Sequence, residues 1–374
     1  MRNRIITLIF CVMLAAGIRT SVLIPDKNYS EAEKRTLKQL PSISADEIFS
    51  GDFGGDIEEY LADQFPGRNG WVTIKTLTDR ISGKTESSGV YFAADGYLIE
   101  AHKNLPAKQA KRNIVALKAL SDSLSAQGIT MKIMLVPTAS EILSDKLPAF
   151  APNANQHSVI EYAKAQGLDV VDVTEALSAH QDEYIFYKTD HHWTSLGAYY
   201  AYAEWARSNG GTPAPLSDWT KRELCGDFRG TTYSKVNYPF APYDTIEAYY
   251  KQESHTVDYN SGDYITDSIY EEKFLSGSDK YAVFFNSNQS ATKVTGNGEG
   301  KLLIIKDSYA NTFGQFVVDD YAETHLIDMR FFKGKVSNYI EENGITEVLV
   351  LYNIPNFCED THLSTISVTA TLRN

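Results

Sequence analysis

Short, nearly continuous apolar runs alternate along this chain with stretches of helical period. Met131-Lys132-Ile133-Met134-Leu135-Val136, Leu302 to Ile305, His325 to Asp328 and Glu347 to Tyr352 each read as a strand buried on both faces. Leu168 to Val173 reads as another. Between them Ile114, Leu117, Leu120 and Leu124 recur at helical spacing, and Gly128 closes that helix. Further helices are predicted from Ser158 to Gln166 and from Ala198 to Arg207. Helices between such strands predict an α/β fold, a parallel sheet flanked by helices on both faces. Gly89 to Ile99 predicts a hairpin that turns at Asp95-Gly96.

Two stretches break this rhythm. Residues 25–88 are polar, with one predicted helix from Asp56 to Asp63 that ends at Asp63-Gln64-Phe65-Pro66-Gly67-Arg68, because Pro and Gly cannot continue it. They are read as an N-terminal extension. Residues from about 221 to 298 are rich in Tyr, Thr, Ser, Asp and Gly and are read as a mainly β insertion within a domain spanning 89–374. Residues 1–24 place Arg2 and Arg4 before an apolar run from Ile5 to Gly17, and apolar residues resume after Arg19. This is a signal peptide or a membrane anchor, and either reading places the protein outside the cytoplasm. Anchored, it would sit on the extracellular face of the cytoplasmic membrane; cleaved, it would be secreted or periplasmic.

Composition narrows the function. The 374 residues are 43% hydrophobic and 22% charged, which fits a folded chain. A net charge of -13 argues against a nucleic-acid partner, since holding phosphates takes a basic face. Twenty-three tyrosines suit either a groove for sugars or a Tyr-rich core. Cys225 and Cys358 can form one disulfide or stay free thiols; neither has a His close in sequence to act as its base.

Chemistry concentrates in two places. In Tyr187-Lys188-Thr189-Asp190-His191-His192-Trp193-Thr194, an Asp two residues from a His can fix its tautomer and leave the other ring nitrogen as a base. The bland alternative is a capping Asp beside two exposed histidines. In Leu302-Leu303-Ile304-Ile305-Lys306-Asp307-Ser308-Tyr309, a strand runs into Asp-Ser and then a helix. Ser308 is there either an N-cap or a nucleophile at the carboxyl end of a strand, where open α/β sheets bind ligands. Taken together, the two sites supply the parts of a nucleophilic triad. Trp193 and Tyr187 are candidates for stacking against a sugar ring, with core packing as the other reading of Trp193. No metal is expected, because adjacent histidines seldom converge on one ion and no third spaced ligand appears. No cofactor is called for.

Asp-His-His-Trp-Thr resembles the signature of the DHHW family, related to the alginate O-acetylation proteins of the SGNH hydrolase superfamily. Ser30-Glu31, Arg35-Thr36-Leu37, the 63–68 segment, Gly89-Val90-Tyr91, Phe228-Arg229-Gly230-Thr231 and Asp244-Thr245-Ile246 carry the same likeness. The resemblance implies an SGNH hydrolase-like fold with its strand order circularly permuted, since the Asp190/His192 loop precedes Ser308. It implies Ser308 as nucleophile, His192 as general base and Asp190 as its orienting acid. The oxyanion would be held by the Ser308 or Tyr309 amide, with Asn353 or Arg330 assisting. Lys306 departs from the superfamily's usual glycine. The activity implied is polysaccharide O-acetylation, or acetyl-ester hydrolysis by the same triad, with a membrane-bound O-acyltransferase as the source of the acetyl group. A non-catalytic polysaccharide-binding or assembly factor is the rival from another class.

Overall fold

The computed structural model describes residues 24–30, 35–42, 52–251 and 254–366, with a few isolated positions before them. The signal-peptide or anchor reading of residues 1–24 lies almost wholly outside the described residues. Among the described residues no helix is long and apolar enough to cross a membrane. The chain forms two compact units, residues 1–88 with 233–240, and residues 89–232 with 241–374.

In the first unit, strands β1 (Tyr29–Ser30) and β2 (Arg35–Thr36) pair as a short ribbon, followed by helices α1 (Asp52–Gln64) and α2 (Arg68–Ile81). Gly67, at φ 68°, makes the break between the helices in a conformation that glycine adopts without steric cost. The Asp63-Gln64 end of α1 holds the ribbon by its backbone. Asp63 accepts from the Lys38 N–H at 2.8 Å. The Gln64 amide accepts from Lys27 N–H and donates to the Lys27 and Lys38 carbonyls, all within 3.0 Å. Thr76 of α2 donates to the Val236 carbonyl at 2.6 Å.

The second unit opens with the expected hairpin, β3 (Val90–Phe92) against β4 (Leu98–Glu100), its turn taking left-handed φ at Asp95 and Gly96. Helix α3 (Ala107–Ser125), strand β5 (Thr130–Val136), helix α4 (His157–Ala165) and helix α5 (Ser195–Ser208) follow. Strands β6 (Thr220–Phe228) and β7 (Asp244–Tyr250) form a separate antiparallel ribbon. The remaining strands are β8 (Thr256–Tyr259), β9 (Tyr264–Thr266), β10 (Ala291–Thr295), β11 (Lys301–Lys306), β12 (Glu323–Ile327) and β13 (Glu347–Asn353). Helix α6 (Tyr309–Val317) follows β11, α7 (Val336–Asn343) precedes β13, and α8 (Ile354–Glu359) follows it.

The central sheet has seven strands in the order β9-β8-β10-β12-β11-β13-β5. Its four strands from β12 to β5 are parallel, and β10, β8 and β9 add to it antiparallel. The sheet is therefore mixed, where the sequence predicted a parallel one. The β-rich region differs in the same way: only its first ribbon stands apart, and the rest extends the main sheet, burying Val257, Tyr259 and Val294 in the core. Leu168–Val173 is no regular strand either. It meets β5 through a single bridge, Val170 to Ile133, and Asp172 turns it by accepting from Thr174 N–H.

The apolar runs are continuous because both faces are covered. Leu302 and Ile304 of β11 pack with Ala198 and Trp205 of α5 and Phe313 and Phe316 of α6 on one face. Leu303 and Ile305 pack with Ile114 and Leu117 of α3, Ile160 of α4 and Phe357 of α8 on the other. Gly197 of α5 is fixed by close approach, since a Cβ there would overlap the Ile185 carbonyl oxygen. Cys225 and Cys358 are free thiols. Burial pushes the Cys358 pKa up to about 12.

Two outcomes are expected. Gly197→Ala should gain helix propensity yet lower stability by about 1–3 kcal/mol, read as a fall in Tm. Ellman's reagent at about pH 8 should label Cys358 only after unfolding, since the thiolate is the reactive form.

Candidate active site

The loop 187–194 crosses the carboxyl edge of the sheet between the 185–186 segment and α5. The buried Asp244 carboxylate shapes it, accepting from Lys188 N–H at 2.8 Å, Thr189 N–H at 2.7 Å and Thr189 Oγ1 at 2.5 Å. The Tyr184 hydroxyl bonds the same carboxylate. Burial raises the Asp244 pKa against those donors. The peptide turn ahead of Asp190 is thus fixed from the β7 strand.

Asp190 is buried and accepts on both oxygens. Its Oδ1 takes the His192 N–H at 3.0 Å and His192 Nδ1 at 2.5 Å. Its Oδ2 takes Thr231 N–H at 2.7 Å and Thr231 Oγ1 at 3.0 Å. A carboxylate only accepts, so His192 carries its proton on Nδ1 and leaves Nε2 bare. Nε2 lies 2.7 Å from Ser308 Oγ, a residue 116 positions further along the chain. The structure therefore brings Asp190, His192 and Ser308 into one hydrogen-bonded relay with the proton positions a general base requires.

Ser308 stands between β11 and α6. Among the described residues its own N–H has no hydrogen-bond acceptor, so of the two expected backbone donors this one is free. The other is engaged: Tyr309 N–H donates to Asp307 Oδ1 at 2.9 Å. Asn353 is drawn the same way, its N–H and Nδ2 both bonding Asp307 Oδ2, at 3.0 and 2.8 Å. Its Oδ1 caps α8 through Asn356 N–H. Asn356 Nδ2 completes the set on Asp307, at 3.0 Å. Arg330 forms a two-point ion pair with Asp328, which holds its guanidinium above the ordinary arginine pKa. Arg330, which the family resemblance offers as an oxyanion assistant, is thus engaged by Asp328. A cavity of about 220 Å³, lined by Asp307, Arg330, Tyr352 and Asn356 among others, opens beside this cluster.

The aromatic candidates are placed differently from expectation. Trp193 is fully buried and donates Nε1–H to the Tyr309 carbonyl at 3.0 Å. Tyr187 is equally buried and packs edge-on against Phe228 and Tyr281. Both are core residues that brace the loop, because their ring areas are worth most when fully removed from water; neither offers a face to a ligand. His191 Nδ1 meets Thr231 Oγ1 at 2.5 Å. Since that hydroxyl donates to Asp190, His191 is the donor in this contact. Asp190, His191 and His192 place three potential ligand atoms within 4.8 Å of one another, but a metal there would have to break the Asp190–His192 bond.

Several contributors escaped the reading of the residues. Gly230 has no room for a side chain, since a Cβ would coincide with the Asp190 carboxylate. Thr231 supplies two of that carboxylate's donors. Both lie in Phe228-Arg229-Gly230-Thr231, and Asp244 opens the other family segment, so the signal was present as motif without its chemistry. Lys306 is fully buried, its ammonium donating to Asn288 and Asn311 Oδ1 at 2.9 and 2.7 Å. Burial lowers its pKa to about 8.

The fold is SGNH hydrolase-like, and the relay sets a serine hydroxyl against an imidazole nitrogen able to accept its proton. Residues 90–222 match the family described as SGNH hydrolase-like domain, acetyltransferase AlgX. The chain is 25% identical to a DHHW family protein from Eubacterium siraeum, covering 75% of this chain and 95% of that one with a TM-score of 0.64. Bacillus cereus PatB1, solved with a sulfonyl adduct, has the same fold at 20% identity, 73% and 97% coverage and a TM-score of 0.62. The probable alginate O-acetylase AlgJ of Pseudomonas aeruginosa is 24% identical over 178 residues. The chain spans under half the length of that curated relative, 44%.

Gly230→Ala is expected to keep the fold and to slow acetyl-ester turnover at least about tenfold, because displacing a catalytic group by an ångström costs on that order or more. Circular dichroism checks the fold and p-nitrophenyl acetate cleavage checks the rate.

Proposed function

We propose that this chain is a serine O-acetyltransferase that transfers an acetyl group to a hydroxyl of an extracellular or cell-wall-associated polysaccharide. One observation carries the reading: the 2.7 Å contact between His192 Nε2 and Ser308 Oγ, with the tautomer set by Asp190. Ser308 Oγ attacks the acetyl carbonyl of the donor while His192 Nε2 takes its proton. The proton then passes to the leaving group, and an acetyl-serine remains. A sugar hydroxyl gives its proton to His192 and attacks that ester, and Ser308 departs with the proton restored. The free Ser308 N–H is the candidate oxyanion donor, with the second proton of Asn353 Nδ2 as the assisting candidate.

The printed descriptions of the relatives, an alginate O-acetylase and acetyltransferase domains, support acetyl transfer. We read the acetyl donor as coming from a membrane-bound O-acyltransferase, and the protein as exported, either tethered to the outer face of the cytoplasmic membrane or released. We read residues 25–88 as an extension and 89–374 as the catalytic domain. We read its sheet as the SGNH order with the halves exchanged in sequence, since β5 and the Asp190/His192 loop precede the strands that lead to Ser308 and Asn353.

Acetyl release from p-nitrophenyl acetate tests the triad. Ser308→Ala and His192→Ala should each lose activity by about a thousandfold or more. His191→Ala should lose less than about tenfold, since its ring hydrogen-bonds Thr231 and packs on His192 without exchanging a proton with Ser308. Equal rates in wild type and Ser308→Ala would refute the enzyme reading. Supplying an oligosaccharide and weighing the products then separates the two chemistries: acetylated sugar means transfer, and free acetate alone means an esterase.

A further inference from the structure

The two relay bonds do not by themselves fix the tilt of the His192 ring. Its two hydrogen bonds, from Nδ1 to Asp190 and between Nε2 and Ser308, sit at the two ends of the imidazole. A ring held at both ends can still tilt about the line between them. Turned out of plane, its Nε2 lone pair no longer points along the Ser308 O–H.

Tyr281 lies against that degree of freedom. Its ring stacks on the imidazole with centroids 3.7 Å apart and planes 10° apart. Its hydroxyl donates to the Ser308 carbonyl at 3.0 Å and lies 3.3 Å from Thr312 Oγ1 of α6. The phenol is buried, and burial keeps it protonated. One side chain therefore touches the base through its face and the nucleophile's own backbone through its tip.

The segment that carries Tyr281 is clamped to the same helix. The Phe285 ring fills the space where a Cβ on Gly314 of α6 would stand. Asn288 shares the Lys306 ammonium with Asn311 of α6. Phe285, Asn286 and Ser287 all take left-handed φ, at 53°, 53° and 68°. Non-glycine residues avoid that conformation, so the surrounding contacts must impose it. The ring over His192 and the hydroxyl beneath it are thereby held by one body.

We propose that Tyr281 is a positioning residue for His192: its ring fixes the imidazole plane and presents a π face to the imidazolium that forms when Nε2 takes the Ser308 proton. The inference rests on the triad reading. A ring parallel to a cation within about 6 Å favours it, and the charge appears only during reaction, so the benefit falls on the rate and not on ground-state binding. The Asp190 carboxylate, His191 and Tyr309 also surround this imidazole, and none of them stacks parallel to it.

The test uses the full chain as wild type, Tyr281→Phe, Tyr281→Leu and Ser308→Ala. Two rates are measured: kcat and KM on p-nitrophenyl acetate, and sulfonylation of Ser308 by phenylmethanesulfonyl fluoride, followed by mass. Tyr281→Leu should lower kcat and sulfonylation together by about tenfold, with KM unchanged. Tyr281→Phe, which keeps the ring, should stay within about threefold of wild type. Leu at wild-type rates, or Phe as slow as Leu, overturns the assignment. Should the Leu variant fail to fold, proton NMR decides it. The His192 ring protons, assigned by their loss in His192→Ala, should be shifted upfield by the stacked ring in wild type and Tyr281→Phe, and unshifted signals overturn it. Failure of the triad itself looks different: Ser308→Ala would then match wild type in turnover and still take up the sulfonyl group.

Discussion

A carboxylate buried at the edge of the sheet sets the terms for the rest of this molecule. An ionised Asp190 could not remain there without donors, because removing a charge from water costs several kcal/mol unless hydrogen bonds replace the solvent. Four donors meet it, two from His192 and two from Thr231. Satisfying the charge and orienting the base are thus the same set of bonds. The need reaches outward as well. Gly230 must lack a side chain for Thr231 to approach, and Asp244 must fix the preceding turn so that Asp190 faces inward.

Asp307 repeats the arrangement on the other side of Ser308. Its carboxylate gathers Tyr309 N–H, the Asn353 backbone and side chain, and Asn356. The ends of β11 and β13 are tied together at the residue before the nucleophile. Groups that a reading by analogy assigns to oxyanion binding are here first used to hold the elbow that presents the serine.

How far the sequence could be read follows from which interactions are local. The runs at 131–136, 302–305 and 347–352 announce strands because each is buried on both faces. Asp190, His192 and Ser308 were legible only through the two sites taken together and the family motif, because each residue alone also suits a helix cap or an exposed loop. For Trp193 the core reading of the two is the one the structure has, and Tyr187 is buried as well; nothing in a sequence separates an aromatic on a groove from one in a core. The oxyanion assignment for the Tyr309 amide overlooked Asp307, one residue before Ser308, which takes that N–H, while Asn353 spends one Nδ2 proton on the same carboxylate. Tyr281 carries no pattern at all: it comes from a short turn in a Tyr-rich region, and only folding sets it on His192. The region from 221 to 298 was read as a mainly β insertion without strand partners, because its strands are short and their partners distant in sequence.

The pairing of β5 with β13 has a consequence for how the chain is made. Thr130–Val136 is made more than 200 residues before its partner Glu347–Asn353. Until then an apolar strand waits with only the Val170 bridge beside it, and non-local closure of this kind is slow. Chains in which β13 is not yet made therefore expose a sticky edge, so the domain's solubility in the making depends on whatever shields that edge in the meantime.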